Sequence, residues 1–258
     1  MNIVLFAAGS VGYEVARLFA ENEEKIICLV LNSDDHSGFN LKIMDALGVS
    51  QENIIYSEDL YCKDTLAYFN NLNLDIFILA WWPYILKEQL IDIPKIGCLN
   101  FHNSYLPYNR GKNPNFWSIV ENCPYGVTLH FIDSGIDSGD IAYQSYLKKT
   151  WEDTGESLYY RGLQEIIRLF KDNFFEIING EIPRKLQDLS RGSFHKNCEL
   201  EEASRIELDR SYKARELLNL IRARTFRPHP GAWFLDDGEK YEVRVDIRKV
   251  NEKEDDKK

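Results

Sequence analysis

Five short apolar runs divide the first part of the chain, and helical patterns stand between several of them. The runs are NIVLFAA from Asn2, KIICLVLN from Lys25, NIIYS from Asn53, DIFILAW from Asp75 and GCLNFH from Gly97. Between the first two, Val11, Val15, Leu18 and Phe19 recur at helical spacing, so one face of that segment is apolar. The stretch from Glu58 to Asn70 reads as another helix. Apolar strands that alternate with helices are buried on both faces, the pattern of a parallel sheet covered on each side. This order predicts an α/β fold: a mostly parallel sheet with helices on both faces. Ligands in such sheets bind beyond the carboxyl ends of the strands.

Two further runs, GVTLHFID and IAYQSYLKK, continue as strands around the glycine-rich connection SGIDSGD. A long helix is predicted from Glu156 to Ile178, with Leu163, Ile166, Ile167, Phe170, Phe174 and Ile177 as its core stripe. From Arg184 to Leu208 the chain is polar and reads as irregular. A last helix, about Tyr212 to Ala223, leads into GAWFLDDGEKYEVRVDI, a hairpin turning at Asp237-Gly238. The expected organisation is a first domain over 1–180, a small C-terminal helix and β-hairpin region over 181–250, and a disordered charged tail, NEKEDDKK, at 251–258.

Charge and cysteine usage exclude several functions. The 258 residues carry a formal net charge of -10, which disfavours general binding to nucleic acid or anionic membrane. No apolar run approaches the ~20 residues of a membrane span. Cys28, Cys62, Cys98, Cys123 and Cys198 are scattered, with no CxxC spacing. They read as small apolar residues of a reducing compartment rather than metal ligands or disulfides. No metal is expected, and the N-terminus lacks the basic start of a signal peptide. A cytoplasmic, soluble protein is the expectation.

AAGSVG follows the first strand and opens a helix. Gly9 and Gly12 half-match the dinucleotide fingerprint, with Ala7 in place of the first glycine and Asp34 and Asp35 after the second strand. A glycine turn before a helix also suits a phosphate outside redox chemistry, or no ligand at all.

The stretch CLNFHNSYLPYNRGKNPNFW begins at Cys98 and gathers amides, a histidine and basic residues at a strand end. Asn100 and His102 are two apart, so they share one face of the strand while Phe101 points to the other. An amide there can donate to a developing oxyanion, and an imidazole can accept or give a proton. Arg110, Lys112 and Asn113 follow in a proline-bounded turn and are donors suited to an anionic substrate. In DSGIDSGDI, Asp133, Asp137 and Asp140 are each able on pattern alone to reach His102 and orient it.

Together, NFHNSYLPYNRGKNPNFWSI and GVTLHFIDSGIDSGDI resemble the folate-dependent formyltransferases, which include the methionyl-tRNA, glycinamide ribonucleotide and sugar-nucleotide enzymes. Asn100, His102, Ser104, Leu106, Pro107, Arg110, Gly111, Pro114, Trp117, Gly126, Val127, Thr128, Asp137, Gly139, Asp140 and Ile141 fit the family pattern. Tyr105 departs from it, standing where many members carry leucine. The resemblance implies a Rossmann-like catalytic domain over 1–180 and a catalytic trio of Asn100, His102 and Asp137. It implies transfer of a formyl group from 10-formyltetrahydrofolate, as co-substrate, to an amine. AWWPYIL, from Ala80 to Leu86, is where the family cradles the pterin. Trp82, Tyr84 and Ile85, with Asp133 and Gly135, are the implied folate-binding residues. Gly9, Ser10, Tyr105, Arg110, Lys112 and Asn113 are expected to meet the acceptor. GKNPNFWSI and IRARTFRPHPGAWF resemble the sugar-nucleotide N-formyltransferases, which implies a dTDP-linked 4-amino or 3-amino 6-deoxy sugar as acceptor, for bacterial surface-glycan (O-antigen) biosynthesis. A homodimer joined through C-terminal elements is implied as well. The alternatives are another amine, such as methionyl-tRNA, and a non-catalytic nucleotide-binding module.

Overall fold

Each apolar run of the first part forms a strand, and a helix follows most of them. The computed structural model describes residues 1–250, so the expected tail at 251–258 lies outside the described residues. The order is β1 (Ile3–Ala7), α1 (Gly9–Glu21), β2 (Cys28–Leu31), α2 (Phe39–Leu47), β3 (Ile54–Tyr56), α3 (Lys63–Asn71), β4 (Ile76–Ala80), the single turn α4 (Glu88–Ile91) and β5 (Gly97–His102). Then come β6 (Arg110–Gly111), α5 (Pro114–Val120), β7 (Gly126–Phe131), β8 (Ile141–Tyr146), α6 (Gly155–Asp172) and α7 (Phe174–Asn179). The chain ends with β9 (Phe194–His195), α8 (Glu199–Ala203), α9 (Ala214–Arg224) and the hairpin β10 (Ala232–Asp236) and β11 (Glu239–Val243).

Seven strands form one sheet in the order β3-β2-β1-β4-β5-β7-β8. The first five are parallel, while β7 runs antiparallel to β5 and β8 antiparallel to β7. The expected α/β architecture is thus the one observed. Successive residues of β1 feed opposite faces. Ile3, Leu5 and Ala7 join the core under α1 and α6, and Val4 and Phe6 join the core under α3 and α4. At the end of β1 the backbone of α1 comes so close that a Cβ on Gly12 would fall 2.9 Å from the Ala7 carbonyl carbon. A glycine is required there for packing, not for a ligand.

Three expectations change in detail. The helix expected over 58–70 starts at Lys63, because 57–59 form a separate 3-10 turn. The helix expected over 156–178 breaks at Asn173, whose side chain donates to the Leu169 carbonyl at 2.7 Å while its φ opens to -112°. The polar stretch from Arg184 is not wholly irregular: it carries β9 and α8. It also runs back across the first unit. Lys185 bridges to Ile141, and β9 pairs in parallel with β6. The hairpin turns where expected, with left-handed backbone at Asp237 and Gly238 (φ 48° and 82°). A third apolar cluster, including Phe116, Trp117, Leu158, Leu220 and Ala223, joins α9 to α5 and α6.

Candidate active site

Asn100 and His102 lie on one face of β5 at its carboxyl end. The antiparallel register sets Asn100 opposite His130 and His102 opposite Thr128. His130 Nδ1 lies 2.8 Å from the Phe131 carbonyl, an acceptor only, so that nitrogen carries the proton. Its Nε2 is then free to accept from Asn100 Nδ2 at 3.1 Å. The Asn100 amide is thereby held with its second N–H unspent. Thr128 secures the loop beyond the strand: its hydroxyl donates to the Ser104 carbonyl at 2.7 Å and accepts from the Leu106 N–H at 3.2 Å.

Asp137 arrives from the connection between β7 and β8, in a left-handed conformation (φ 50°). One carboxylate oxygen lies 3.6 Å from His102 Nδ1 and the other 3.5 Å from His130 Nε2. The Gly111 N–H donates to the first at 2.9 Å. Only glycine fits at 111: its φ is 90°, and a Cβ would stand 2.2 Å from the His195 carbonyl oxygen. Gln187 Nε2 ties the same connection down, reaching the Asp137 and Gly139 carbonyls at 2.9 and 2.6 Å. The other two aspartates are used elsewhere. Asp133 accepts from the Gly135 N–H and the Ser138 hydroxyl, and Asp140 pairs with Arg184 at 3.5 Å.

Burial pushes the His102 imidazole below its ordinary pKa, and the Asp137 charge opposes this without overcoming it. Burial alone would raise Asp137. Attraction to His102 in its charged form and the Gly111 N–H outweigh it and hold the carboxyl well below the usual range. The site therefore presents a fixed anion, a histidine able to accept a proton at neutral pH, and an amide donor. That set suits addition of a nucleophile to a carbonyl group.

The trio faces a cavity of about 1620 Å³. Trp82, Tyr84, Ile85, Asp133 and Gly135 line it, and Lys112 and Asn113 also reach it. Trp82 Nε1 is buried there without a partner. The lining also includes aromatics that the sequence did not single out for the site: Tyr159 and Tyr160 from α6, and Phe226 and His229 after α9, with Arg224 and Arg227. Their rings touch in sequence, Tyr159 to Phe226 at 5.3 Å and Phe226 to His229 at 4.8 Å.

Gly9, Ser10, Tyr105 and Arg110 are not among the lining residues. Trp81, itself strained at φ 64°, lies over the Gly9 turn, with its ring 3.8 Å from where a Gly9 Cβ would be. Tyr105 packs edge-on against Tyr146, and the Arg110 guanidinium lies over Phe194. Asp35, one of the two acids set beside the dinucleotide half-match, instead accepts from the backbone N–H groups of Ser37 and Asn40, the latter in the first turn of α2. Among the described residues no group of three His, Cys, Asp or Glu could hold a metal. No helix among them is long and apolar enough to cross a membrane.

Comparison with known proteins adds an independent finding. Residues 1–170 match the family model described as formyl transferase, and residues 199–249 match the N-formyltransferase dimerization C-terminal domain. The chain is 27% identical over 238 residues to the bifunctional polymyxin resistance protein ArnA of Wigglesworthia glossinidia brevipalpis, covering 90% of this chain and 36% of that protein. It is also 27% identical to the methionyl-tRNA formyltransferase of Protochlamydia amoebophila, covering 90% of this chain and 74% of that protein. The fold is similar to a crystal structure of a 4-N formyltransferase from Francisella tularensis, with a TM-score of 0.80 at 21% identity over 96% of this chain and 98% of that one. It is similar too to the formyltransferase PseJ from Anoxybacillus kamchatkensis, solved with UDP-4,6-dideoxy-4-formamido-L-AltNAc and tetrahydrofolate. There the TM-score is 0.57 at 27% identity, over 78% of this chain and 89% of that one.

Proposed function

The chain belongs to the formyl transferase family, whose model spans residues 1–170, and we propose that it moves a formyl group from 10-formyltetrahydrofolate to the amine of a nucleotide-linked amino sugar. One observation carries the choice of acceptor. One cavity of about 1620 Å³ holds the trio together with the 82–86 wall and the aromatic, cationic wall of Tyr159, Phe226, Arg224 and Arg227. A pocket for one small ligand is roughly 300–1,000 Å³, so this volume suits two ligands meeting at His102. The first wall, aromatic and apolar, suits a pterin. The second suits a nucleobase and its diphosphate. Lys112 and Asn113 stand near enough to the trio to meet the sugar or phosphate. Gly9, Ser10, Tyr105 and Arg110, outside the cavity, are given no ligand contact.

Folate supplies an activated formyl group, and the chain's own residues do the rest. The acceptor amine adds to the formyl carbon. The free N–H of Asn100 meets the oxygen as it gains charge. His102, neutral beside ionised Asp137, takes the proton that the amine sheds and returns it to the departing folate nitrogen. Asp137 stabilises the imidazolium formed between those steps and fixes the ring angle.

The expected acceptor is dTDP-4-amino-4,6-dideoxyglucose or a 3-amino analogue, and the expected product serves surface-glycan synthesis in the cytoplasm. Incubation with 10-formyltetrahydrofolate and a panel of amino-sugar nucleotides should give one product heavier by a formyl group, read by mass spectrometry. No product across the panel, with formylation of charged initiator tRNA instead, would move the acceptor to tRNA. Nucleotide-sugar binding without turnover on any acceptor would leave a binding module. The match of residues 199–249 to a dimerization domain supports a homodimer. Light scattering should give about twice the 30.1 kDa chain mass.

A further inference from the structure

A second cavity, of about 420 Å³, shares no lining residue with the catalytic one. Helix α9 contributes to both. Ala223 and Arg224 line the first, while Arg215, Asn219 and Arg222 line the second. Those three are four and three residues apart, so they share one face of the helix. Lys149, Thr150 and Trp151, from the loop between β8 and α6, line the second cavity too.

Arg222 is buried, 6% exposed. Its Nε donates to Asn219 Oδ1 at 2.9 Å, and its Nη1 to the Thr150 and Asp153 carbonyls at 2.7 and 2.9 Å. Nη2 meets no acceptor among the described residues. Lys149 gives two of its three N–H bonds to the Ser118 and Cys123 carbonyls and keeps the third. The Arg215 and Arg222 guanidinium groups both lie over the Trp151 ring, at 4.8 and 5.0 Å from its centre. Among the described residues none of these three cations is in an ion pair, and no Asp or Glu lines the cavity. Asp153, in the same loop, is instead paired with Arg161 at 2.6 Å. Carbonyl oxygens orient a cation without cancelling its charge, and buried charges are ordinarily paired. Burial pushes the Lys149 ammonium down to about 8, and Arg222 adds to that shift.

We propose that this cavity is a second ligand site, for a small anion that carries a diphosphate, held by Lys149, Arg215 and Arg222. One phosphate monoester carries about two negative charges at most, so three cations exceed what it balances and match a diphosphate. The unspent Arg222 Nη2, the third Lys149 N–H, the Arg215 fork and Asn219 Nδ2 supply the donors. The volume is near the lower end of the roughly 300–1,000 Å³ of small-ligand pockets, which suits one compact diphosphate. Nothing in this site depends on formyl-transfer chemistry.

The test titrates the full chain with sodium pyrophosphate by calorimetry, at low salt and pH 7.5. Wild type should bind it at least about tenfold more tightly than inorganic phosphate. Arg215→Glu sets a carboxylate beside the other two cations and should weaken binding at least about tenfold. Lys149→Met should act in the same direction. Arg215 is exposed, so its variant decides the matter if Lys149→Met does not fold. Arg227→Ala, in the catalytic cavity, should bind pyrophosphate as wild type does. In that background, tighter binding of ADP than of pyrophosphate would identify a nucleotide as the source of the diphosphate. The reverse order would identify free pyrophosphate, and either supports the site. No binding by wild type, equal affinity for phosphate, or loss in Arg227→Ala but not in Arg215→Glu overturns the proposal. Binding that appears only after removal of 251–258 overturns it as well. The Lys249 N–H reaches Glu152, next to Trp151, at 3.4 Å, and Glu252, Glu254, Asp255 and Asp256 follow. Those acids would then be the anions that the cavity takes.

Discussion

The Asn100 amide has two N–H bonds, and His130 accepts one of them at 3.1 Å. The other is aimed without needing to reorganise, which is what makes such a donor effective in the transition state. Asn100→Ala should lower kcat by about 10²–10³-fold, with KM little changed, in a steady-state formyl-transfer assay. His102 has a second measurable signature. Its pKa is depressed in the folded protein by burial, so the unfolded chain binds the proton more readily. Stability is then fully present above the unfolded histidine value, about 6.5, and is lost as pH falls below it. Urea unfolding at pH 7.5 and 5.5 should show this loss in wild type, and His102→Asn should show less of it. In Asp137→Asn the charge that favours the imidazolium is gone, so an NMR titration should place the His102 pKa lower still.

At the scale of elements, the contact between α1 and β1 decides how the first half packs. A Cβ on Gly12 would fall within 3.0 Å of two Ala7 atoms, and both belong to a buried strand that cannot shift cheaply. Gly12→Ala should cost about 1–3 kcal/mol in denaturant unfolding while leaving KM for both substrates intact, because this turn is not part of the cavity. The strands were legible from the sequence because each is apolar through its length, and Asn100 and His102 because they are two apart on one of them. His130 was not, although it lies two residues after Thr128. Its role depends on β7 running antiparallel with His130 opposite Asn100, and chain order does not set register. The half-fingerprint at Gly9 did not foretell an open phosphate site for a similar reason: Trp81, just past the end of β4, covers it. The break at Asn173 and the strand β9 depend on hydrogen bonds to distant or local backbone that apolar periodicity does not record. The aromatic wall was invisible because Tyr159 and Phe226 meet only when α9 docks on α5 and α6.

For the whole molecule, the segment between α7 and α8 stands apart. It reads as a polar linker, yet Gln187 holds the Asp137 connection while Ser193 and the β9 backbone hold Asn109 and Gly111. The same chain then enters the region matched to a dimerization domain. Each of those bonds is weak alone and is kept formed because its partners are joined covalently, at high effective concentration. Between the two halves of the segment lies the exposed Arg191. A single proteolytic cut there removes that continuity without removing a single side chain. After brief trypsin treatment the two fragments should still co-elute, since α9 remains packed on α5 and α6, but turnover should fall with the fraction nicked. Substrate that orders the site should slow the cut. Undiminished turnover in fully nicked protein would mean that the strap's bonds survive on affinity alone. The stretch that looked most like a spacer is thus where a protease would register, from outside, whether the catalytic groups are assembled.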